Sequence, residues 1–558
     1  MGKLKINDKE IEFKPNQTII EVAAENGIDI PHFCWHPSLS VSGNCRMCLV
    51  EVEKMPKLVI ACSTFAADGM VVNTDSPKSI QARKSVMEFI LINHPLDCPI
   101  CDEAGECKLQ DYSYQHSIGE SRFVEEKQHK EKRVSLGPTI MFDGERCISC
   151  SRCIRFSDEV AKKNQLTFVK RGDRVTITTF PGEEFDNDYT LNTIDICPVG
   201  ALTGKDFRFK SRVWEMSSTE SICTGCSTGC NTEIWVRNNE ILRLTPRHNE
   251  NVNKFWMCDK GRLNTFKFVN DKTRLDGCLL RKNNILEKAE WNDSINEVYN
   301  QLKKYKNDEI AFIGSSFVTL EDSYAMQKFA KILGVDNIVV PEHVIQGDCD
   351  DILIKEDKTP NKLGTELLGL KNGSKNIGFD DIVKLIDEEK IKAVVITDEY
   401  IDVKLAENIF PKLKSLIVIA SSSSPFTKIA TVVLSASTYA EKNGTFVNFN
   451  GMVQRLNPAV TTIEGDRALD NLNMSRWDKF GTKYDKWLQG KKFDAKPIWQ
   501  IFVKLSNLTN NKFKYNLAEE VFADIAKNVK AFEGMDYDKI GNKGAKIKNI
   551  EKLLIKSV

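Results

Sequence analysis

Alternating apolar and polar positions open the chain: Lys3-Leu4-Lys5-Ile6 and Glu10-Ile11-Glu12-Phe13 read as two strands joined at Asn7-Asp8-Lys9 in a hairpin. A short helix is predicted from about Thr18 to Glu25, stopped by Gly27. Leu49-Val50-Glu51-Val52 and Leu58-Val59-Ile60 read as further strands, so residues 1–78 form a small sheet wrapped across one helix. Helical spacing returns over Ser79–Leu91, with Ile80, Val86, Phe89 and Ile90 on the apolar face. Residues 117–136 are polar and charged and read as a linker, followed by two short segments at 137–215 and 217–270. From about residue 275 short apolar runs alternate with helical stretches. Ile310–Gly314, Ala393–Ile396 and Leu416–Ile419 are strand candidates and Glu321–Leu333 is a helix, the pattern of an α/β domain with a parallel sheet. The Lys-rich tail from Asn510 to Val558 reads as helical stretches with a solvated face.

At 558 residues the chain is long enough for several domains, roughly three to five. Lys+Arg and Asp+Glu are 78 each, so no net field draws in nucleic acid or an anionic membrane. Hydrophobic residues make up 41%, mean hydropathy is -0.33, and no apolar run approaches the roughly 20 residues of a membrane span. The first residues lead straight into a strand pattern without a signal or transit segment, so a bacterial-type cytoplasm is expected. The chain has no Gly-X-Gly-X-X-Gly or Walker-type loop. Cysteine changes the picture: fifteen of the 17 lie between Cys34 and Cys258, which in a reducing compartment points to metal before disulfides.

These cysteines fall into four sets. Cys34, Cys45, Cys48 and Cys62 have a Cys-X-X-Cys centre and two more distant thiols, which suits a two-iron cluster; zinc is the competing reading. Small residues Ser42, Gly43 and Asn44 let backbone approach that site, and His32 and His36 read as packing groups beside it. The second set, Cys98, Cys101 and Cys107, lacks a fourth thiol, and His94 four residues upstream supplies the missing donor. A neutral imidazole in place of a thiolate makes such a site less negative and raises its potential. Cys147, Cys150 and Cys153 with Cys197-Pro198 follow the bacterial four-iron ferredoxin logic, in which the Cys-Pro arrives from a distant segment. The fourth set is Cys223, Cys226, Cys230 and Cys258, with Gly225 and Gly229 in its loop; zinc competes more strongly there.

Several stretches resemble the large iron-sulfur (75 kDa) subunit family of bacterial respiratory complex I, the NADH:quinone oxidoreductase. They are His94-Pro95-Leu96-Asp97-Cys98-Pro99-Ile100-Cys101, Gly105-Glu106-Cys107-Lys108-Leu109-Gln110-Asp111, Arg146-Cys147-Ile148-Ser149-Cys150 and Cys197-Pro198-Val199-Gly200-Ala201-Leu202-Thr203. The resemblance implies one [2Fe-2S] cluster on the first set and three [4Fe-4S] clusters on the others, the second with His94 as a ligand. It implies a β-grasp two-iron ferredoxin-like domain at 1–78, a four-iron domain with one histidine and three cysteine ligands at 79–118, a bacterial-ferredoxin-like domain at 137–215 and a molybdopterin-oxidoreductase-type four-iron domain at 217–273. A degenerate molybdopterin-oxidoreductase-like α/β domain would occupy 274–558. The implied partners are a flavin/NADH-binding subunit, a two-iron thioredoxin-like subunit and quinone-side iron-sulfur subunits. Attachment to the cytoplasmic face of the inner membrane would come only through partners, and no nucleic acid is expected.

The fourth set with Cys258-Asp259-Lys260-Gly261-Arg262, and Gly444-Thr445-Phe446-Val447-Asn448 with Gly451 and Gln454, also resembles molybdopterin oxidoreductases. In active members a lysine at the position of Lys260 lies between cluster and pterin; an ordinary salt-bridged lysine is the competing reading. Molybdopterin is not expected here. Cys349, in Gly-Asp-Cys-Asp-Asp, is the one late thiol in a region where a metal ligand could fall, and a small packed or inert side chain is the competing reading for it and for Cys278. The expected function is one-electron relay from an NADH/flavin subunit toward quinone. The alternatives are an iron-sulfur subunit of an NAD-linked formate dehydrogenase or hydrogenase, and a zinc-stabilised scaffold.

Overall fold

In the computed structural model, residues 2–117, 119–370, 377–397, 401–470, 490–548 and 550 are described. The chain divides into two units, Met1–Glu215 and Met216–Val558.

The first unit begins with the predicted hairpin, β1 (Gly2–Ile6) and β2 (Lys9–Phe13), turned at Asn7, whose φ of 55° suits an asparagine. β3 (Leu49–Val52), β4 (Val59–Ile60) and β5 (Val71–Asn73) complete a five-stranded sheet of order β2-β1-β5-β3-β4, in which β1 and β5 run parallel. The helix Ile19–Glu25 buries Ile19, Ile20, Val22 and Ala23 in the same core as Leu4, Ile6, Val50 and Val72. Its start is fixed by a reciprocal cap between Thr18 and Glu21.

The next helix, Pro77–Leu91, starts two residues before the predicted Ser79 because the Ser76 side chain caps it and Pro77 fits its first turn. Its face differs from expectation. The helix buries Ser79, Arg83 and Met87, while Ile80 and Phe89 are exposed, Phe89 by 74%. Arg83 takes the inward position because its guanidinium donates to the Thr74 carbonyl and pairs with Asp75.

Residues 117–136 are more than a linker. Lys127 Nζ donates to the carbonyls of Leu91 and Ile92 at 2.9 and 2.7 Å, satisfying the C-terminal end of that helix. Arg122 pairs with Glu88, and Lys132 with Asp97, so the segment straps the helix and the loop after it. β6 (Val134–Ser135), β7 (Ile140–Phe142) and β10 (Leu202–Gly204) form a three-stranded sheet, and β8 (Leu166–Val169) pairs with β9 (Thr176–Thr179).

In the second unit, β11 (Ser217–Ile222), β12 (Asn231–Arg237) and β13 (Glu240–Pro246) make an antiparallel meander. A seven-stranded sheet follows from β14 (Cys278–Lys282), β15 (Ile285–Ala289), β16 (Ile310–Ile313), β17 (Ile338–Val339), β18 (Ala393–Thr397), β19 (Ser415–Ala420) and β20 (Val432–Ser435), in the order β15-β14-β20-β19-β18-β16-β17. β16 to β20 are parallel, as expected, and β14 and β15 add an antiparallel edge. The helix Leu320–Ile332 lies near one face with Ile498–Ser506. β21 (Gly444–Val447), β22 (Met452–Leu456) and β23 (Ala545–Lys546) form a last small sheet.

The tail departs from the solvated reading. The helix Ala518–Asn528 buries Val521, Phe522 and Ile525, and Phe532, Tyr537 and Ile540 join the main core, because apolar residues recur at helical spacing among Glu519, Glu520, Asp524 and Lys527. Residues 549 and 551–558 of that tail lie outside the described residues. No helix among the described residues is long and apolar enough to cross a membrane.

Candidate iron-sulfur sites

Loops between the short strands of the first unit bring the first set together. Cys34, Cys48 and Cys62 are buried and Cys45 partly so. The backbone N–H of Cys34 donates to Cys45 Sγ at 3.4 Å. Hydrogen bonds from Cys45 and then Cys62 hold the Cys34 thiol far below the usual thiol range, while the same bonds push Cys45 and Cys62 up. Backbone N–H groups of Cys45 and Asn44 add to the pull on Cys34. Gly43 and Arg46 both adopt left-handed φ, 63° and 59°, which turns the loop so that its N–H groups point at sulfur. His32 Nδ1 sits 2.8 Å from the Ile30 carbonyl, and burial lowers its pKa to about 4; His36 is lowered to about 3, also by burial. Both are neutral packing groups beside the thiols.

The third set follows the same physical logic. Ser149 and Ser151 have φ of 54° and 64°, alternating with Cys147, Cys150 and Cys153 so that all three thiols face one space. Cys197 reaches that space from the end of the helix Asn192–Ile196. Burial drives the Cys153 and Cys197 thiols well up and Cys147 to about 11. Such neutral thiols would release protons on taking up a cluster.

In the second set, Cys98 is exposed on a short 3-10 turn, Cys101 is buried, and Cys107 precedes the helix Lys108–His116. Burial raises Cys101 and Cys107, the latter to about 12, and Cys98 and Cys101 add like-charge repulsion. His94 is joined to these thiols through a common neighbour: the Arg146 guanidinium acts on both His94 and Cys101, and donates to Asp97 at 2.9 Å. His94 Nδ1 is buried without a hydrogen-bond partner, and burial lowers the ring's pKa to about 4, the neutral form a metal needs. A buried neutral ring with an unpartnered Nδ1 fits the chemistry of a histidine ligand to the second set.

The fourth set lies wholly in the second unit. Its four thiols line a cavity of about 320 Å³ together with Lys260, Tyr439 and Lys442. A Cβ on Gly261 would stand 2.9 Å from Cys223 Sγ and 3.3 Å from Cys258 Sγ, so only glycine leaves the thiols their space. Asn448 Nδ2 donates to the Thr228 carbonyl at 3.1 Å and Gln454 Nε2 to that of Gly229 at 3.0 Å. The motif around residues 444–454 therefore clamps the cysteine loop. Lys260 lines the cavity and pairs with Asp348 at 2.8 Å. Cys349 is exposed, its Sγ 3.7 Å from Glu356 Oε1, and Cys278 is buried in the main core. Among the described residues no three His, Cys, Asp or Glu side chains converge tightly enough to hold a single metal ion. The third and fourth thiol sets instead line spaces, and the first pairs sulfur with sulfur.

Contacts between sets have no spacing signature in the sequence. Asn44 Nδ2 donates to the Ser149 carbonyl at 3.0 Å, and Arg155 donates to the Cys34 carbonyl at 2.6 Å, so the first and third sets adjoin. Cys107 Sγ lies 3.9 Å from the Pro198 carbonyl, so the third and second adjoin as well. Their one visible trace there is arginine at 146, 152 and 155, charge in segments otherwise built to bury thiols.

Four regions match family models: a 2Fe-2S iron-sulfur cluster binding domain at 3–77, the NADH-ubiquinone oxidoreductase-G iron-sulfur binding region at 83–122, the ferredoxin-like domain of NADH-quinone oxidoreductase subunit 3 at 137–203, and the molybdopterin oxidoreductase Fe4S4 domain at 216–271. The chain is 41% identical to an NADH-quinone oxidoreductase subunit of Rickettsia felis over 341 residues, 61% of this chain and 50% of that protein. It is 38% identical to the NADH-ubiquinone oxidoreductase 75 kDa subunit of Reclinomonas americana over 64% of this chain and 51% of that protein. For the mitochondrial 78 kDa subunit of Neurospora crassa the figures are 39%, 61% and 46%. The chain thus spans about half the length of the curated relatives it matches. A solved chain titled NAD+-reducing [NiFe]-hydrogenase in the H2-reduced state aligns with 38% of this chain and 91% of its own length, at 28% identity and a TM-score of 0.34.

Proposed function

We propose that this chain is an electron-transfer subunit of an NADH:quinone oxidoreductase, relaying electrons from an NADH/flavin subunit through bound iron-sulfur clusters toward quinone. The observation that carries the reading is the contiguity of three thiol sets in one unit, the third adjoining both the first and the second. One [2Fe-2S] cluster on Cys34, Cys45, Cys48 and Cys62 and [4Fe-4S] clusters on the other three sets, with His94 in the second, account for fifteen cysteines and one histidine. The finer classification of the first unit is a β-grasp ferredoxin-like domain over 1–78, a histidine-and-cysteine-ligated four-iron domain over 79–118 and a bacterial-ferredoxin-like domain over 137–215. A four-iron domain over 217–273 and a degenerate pterin-type scaffold over 274–558 make up the rest. Flavin/NADH-binding, two-iron thioredoxin-like and quinone-side iron-sulfur subunits are the partners, and through them the chain sits at the cytoplasmic face of a membrane.

When bound, the clusters supply one-electron acceptance and donation. The protein's own residues insulate, space and tune. Buried thiols exclude water from three sets, while backbone N–H groups at Asn44, Cys45, Ser149, Gly225 and Gly261 direct positive dipole at sulfur, which favours the reduced state. The exposed Cys98 puts the second site at the surface of its unit, within reach of an external partner. Anaerobic purification followed by iron and acid-labile sulfide analysis tests the reading: about fourteen irons per chain are expected. A colourless zinc-loaded protein would overturn it, and molybdenum in the preparation would favour the formate dehydrogenase alternative.

A further inference from the structure

Arg152 sits between two cysteines of the third set, in Cys150-Ser151-Arg152-Cys153, yet it is only 4% exposed. One guanidinium nitrogen donates to the carbonyl of Ile196, the residue before Cys197, at 2.9 Å. The other terminal nitrogen donates to the carbonyl of Trp35, the residue after Cys34. One side chain therefore holds the peptides that adjoin a thiol of each of two sets. Its Nε is buried with no hydrogen-bond partner, and among the described residues no carboxylate pairs with it.

A buried cation with no carboxylate is costly unless another anion stands in. Both carbonyls it holds belong to peptides beside ligand thiols, Cys197 of the third set and Cys34 of the first, so clusters on those two sets would supply the missing anions. A guanidinium stays charged whatever its burial. Neighbouring Arg155 repeats the bridging pattern at the rim, donating to the carbonyls of Cys34 at 2.6 Å and Cys150 at 3.4 Å, but it is half-exposed and so better screened.

We propose that Arg152 is a shared positioning residue and counter-charge for the clusters of the first and third sets, raising both reduction potentials together and fixing the two ligand loops against each other. The inference rests on the cluster assignment proposed above. A thiolate-ligated cluster is net negative, and taking up an electron makes it more so. A fixed positive charge between two such sites stabilises the reduced form of each, and cannot be withdrawn from one without loss to the other.

The test is a redox titration of the holoprotein followed by electron paramagnetic resonance, on the parent chain, Arg152→Gln and Arg152→Lys. Gln removes the charge while keeping a donor; Lys keeps the charge. In Arg152→Gln the midpoints of the two-iron cluster and the third-set four-iron cluster are expected to shift downward together, with those of the second and fourth sets unchanged. Arg152→Lys should recover most of both shifts. Movement of neither or of only one midpoint, an equal shift of all clusters, or Lys shifting both as far as Gln would overturn the proposal. If the Gln chain fails to load the two clusters, retention by Lys supports the counter-charge, and loss from both variants overturns it. A parent chain lacking iron would instead overturn the cluster assignment, so the two failures are distinct.

Discussion

Gly200 stands directly against Cys101: a Cβ on Gly200 would lie 2.3 Å from Cys101 Sγ and 2.8 Å from the Cβ of Glu103. The strand-bound segment that delivers Cys197 to the third set thereby forms a wall of the second. Replacing this glycine forces either the Cys101 thiol or the 197–200 backbone to move, at a cost of about 1–3 kcal/mol for overpacking. Gly200→Ala is expected to lose one four-iron signal and about four irons per chain, measured by spectroscopy and iron analysis. Retention of the full iron content would show that the segment yields without disturbing the site.

His94 offers the second prediction. With Nδ1 buried and unpartnered, the ring is poised to donate to a metal, and no competing hydrogen bond holds it. His94→Cys replaces a neutral ligand with an anionic one, so the midpoint of one four-iron cluster should fall while the others stay put. An unchanged set of midpoints would remove His94 from the ligands.

Arg274 ties the fourth-set region to the large sheet. Its guanidinium donates to the carbonyls of Val269 and Ser421, both at 3.0 Å, and pairs with Glu441 at 2.8 Å, with both side chains essentially excluded from solvent. Arg274→Met leaves the Glu441 carboxylate buried without its cation, which costs about 3–5 kcal/mol. Denaturant unfolding should show that loss, and Arg274→Met with Glu441→Gln together should recover part of it. If the single and double variants are equally destabilised, the ion pair is not what couples these segments.

What the sequence discloses here is what depends on neighbours along the chain. The β1–β2 alternation and the Thr18 cap can be read from a few residues, and so can the thiol spacings, because each loop carries two or three ligands within a turn. Contacts such as Arg152 to Trp35, 117 residues apart, leave no periodic trace. The helix Pro77–Leu91 misleads for a different reason: its apolar positions Ile80 and Phe89 face outward and Arg83 faces inward, where its two terminal nitrogens meet the Thr74 carbonyl and Asp75. In the tail, a Lys-rich overall composition reads as solvated, while the local sequence carries an inward stripe through Val521, Phe522 and Ile525.

The last prediction concerns Glu321, which is fully buried on the helix Leu320–Ile332. Its carboxylate accepts from the Thr445 N–H and hydroxyl, both at 2.9 Å, and from the Tyr537 hydroxyl at 2.8 Å. Burial nonetheless dominates and raises its pKa from 4.5 to about 7. Between those values the folded chain holds a proton that the unfolded chain has lost. Stability therefore falls as pH rises through that window and is level above it, a difference of about 3 kcal/mol in order of magnitude. Glu321→Gln cannot ionise and keeps an amide that can both accept from Thr445 and donate to a hydroxyl. Relative to the parent, the variant should gain amide-exchange protection in that helix as pH rises from about 5 to about 8. A difference between the two chains that does not change across this range would mean that Glu321 titrates near its ordinary value.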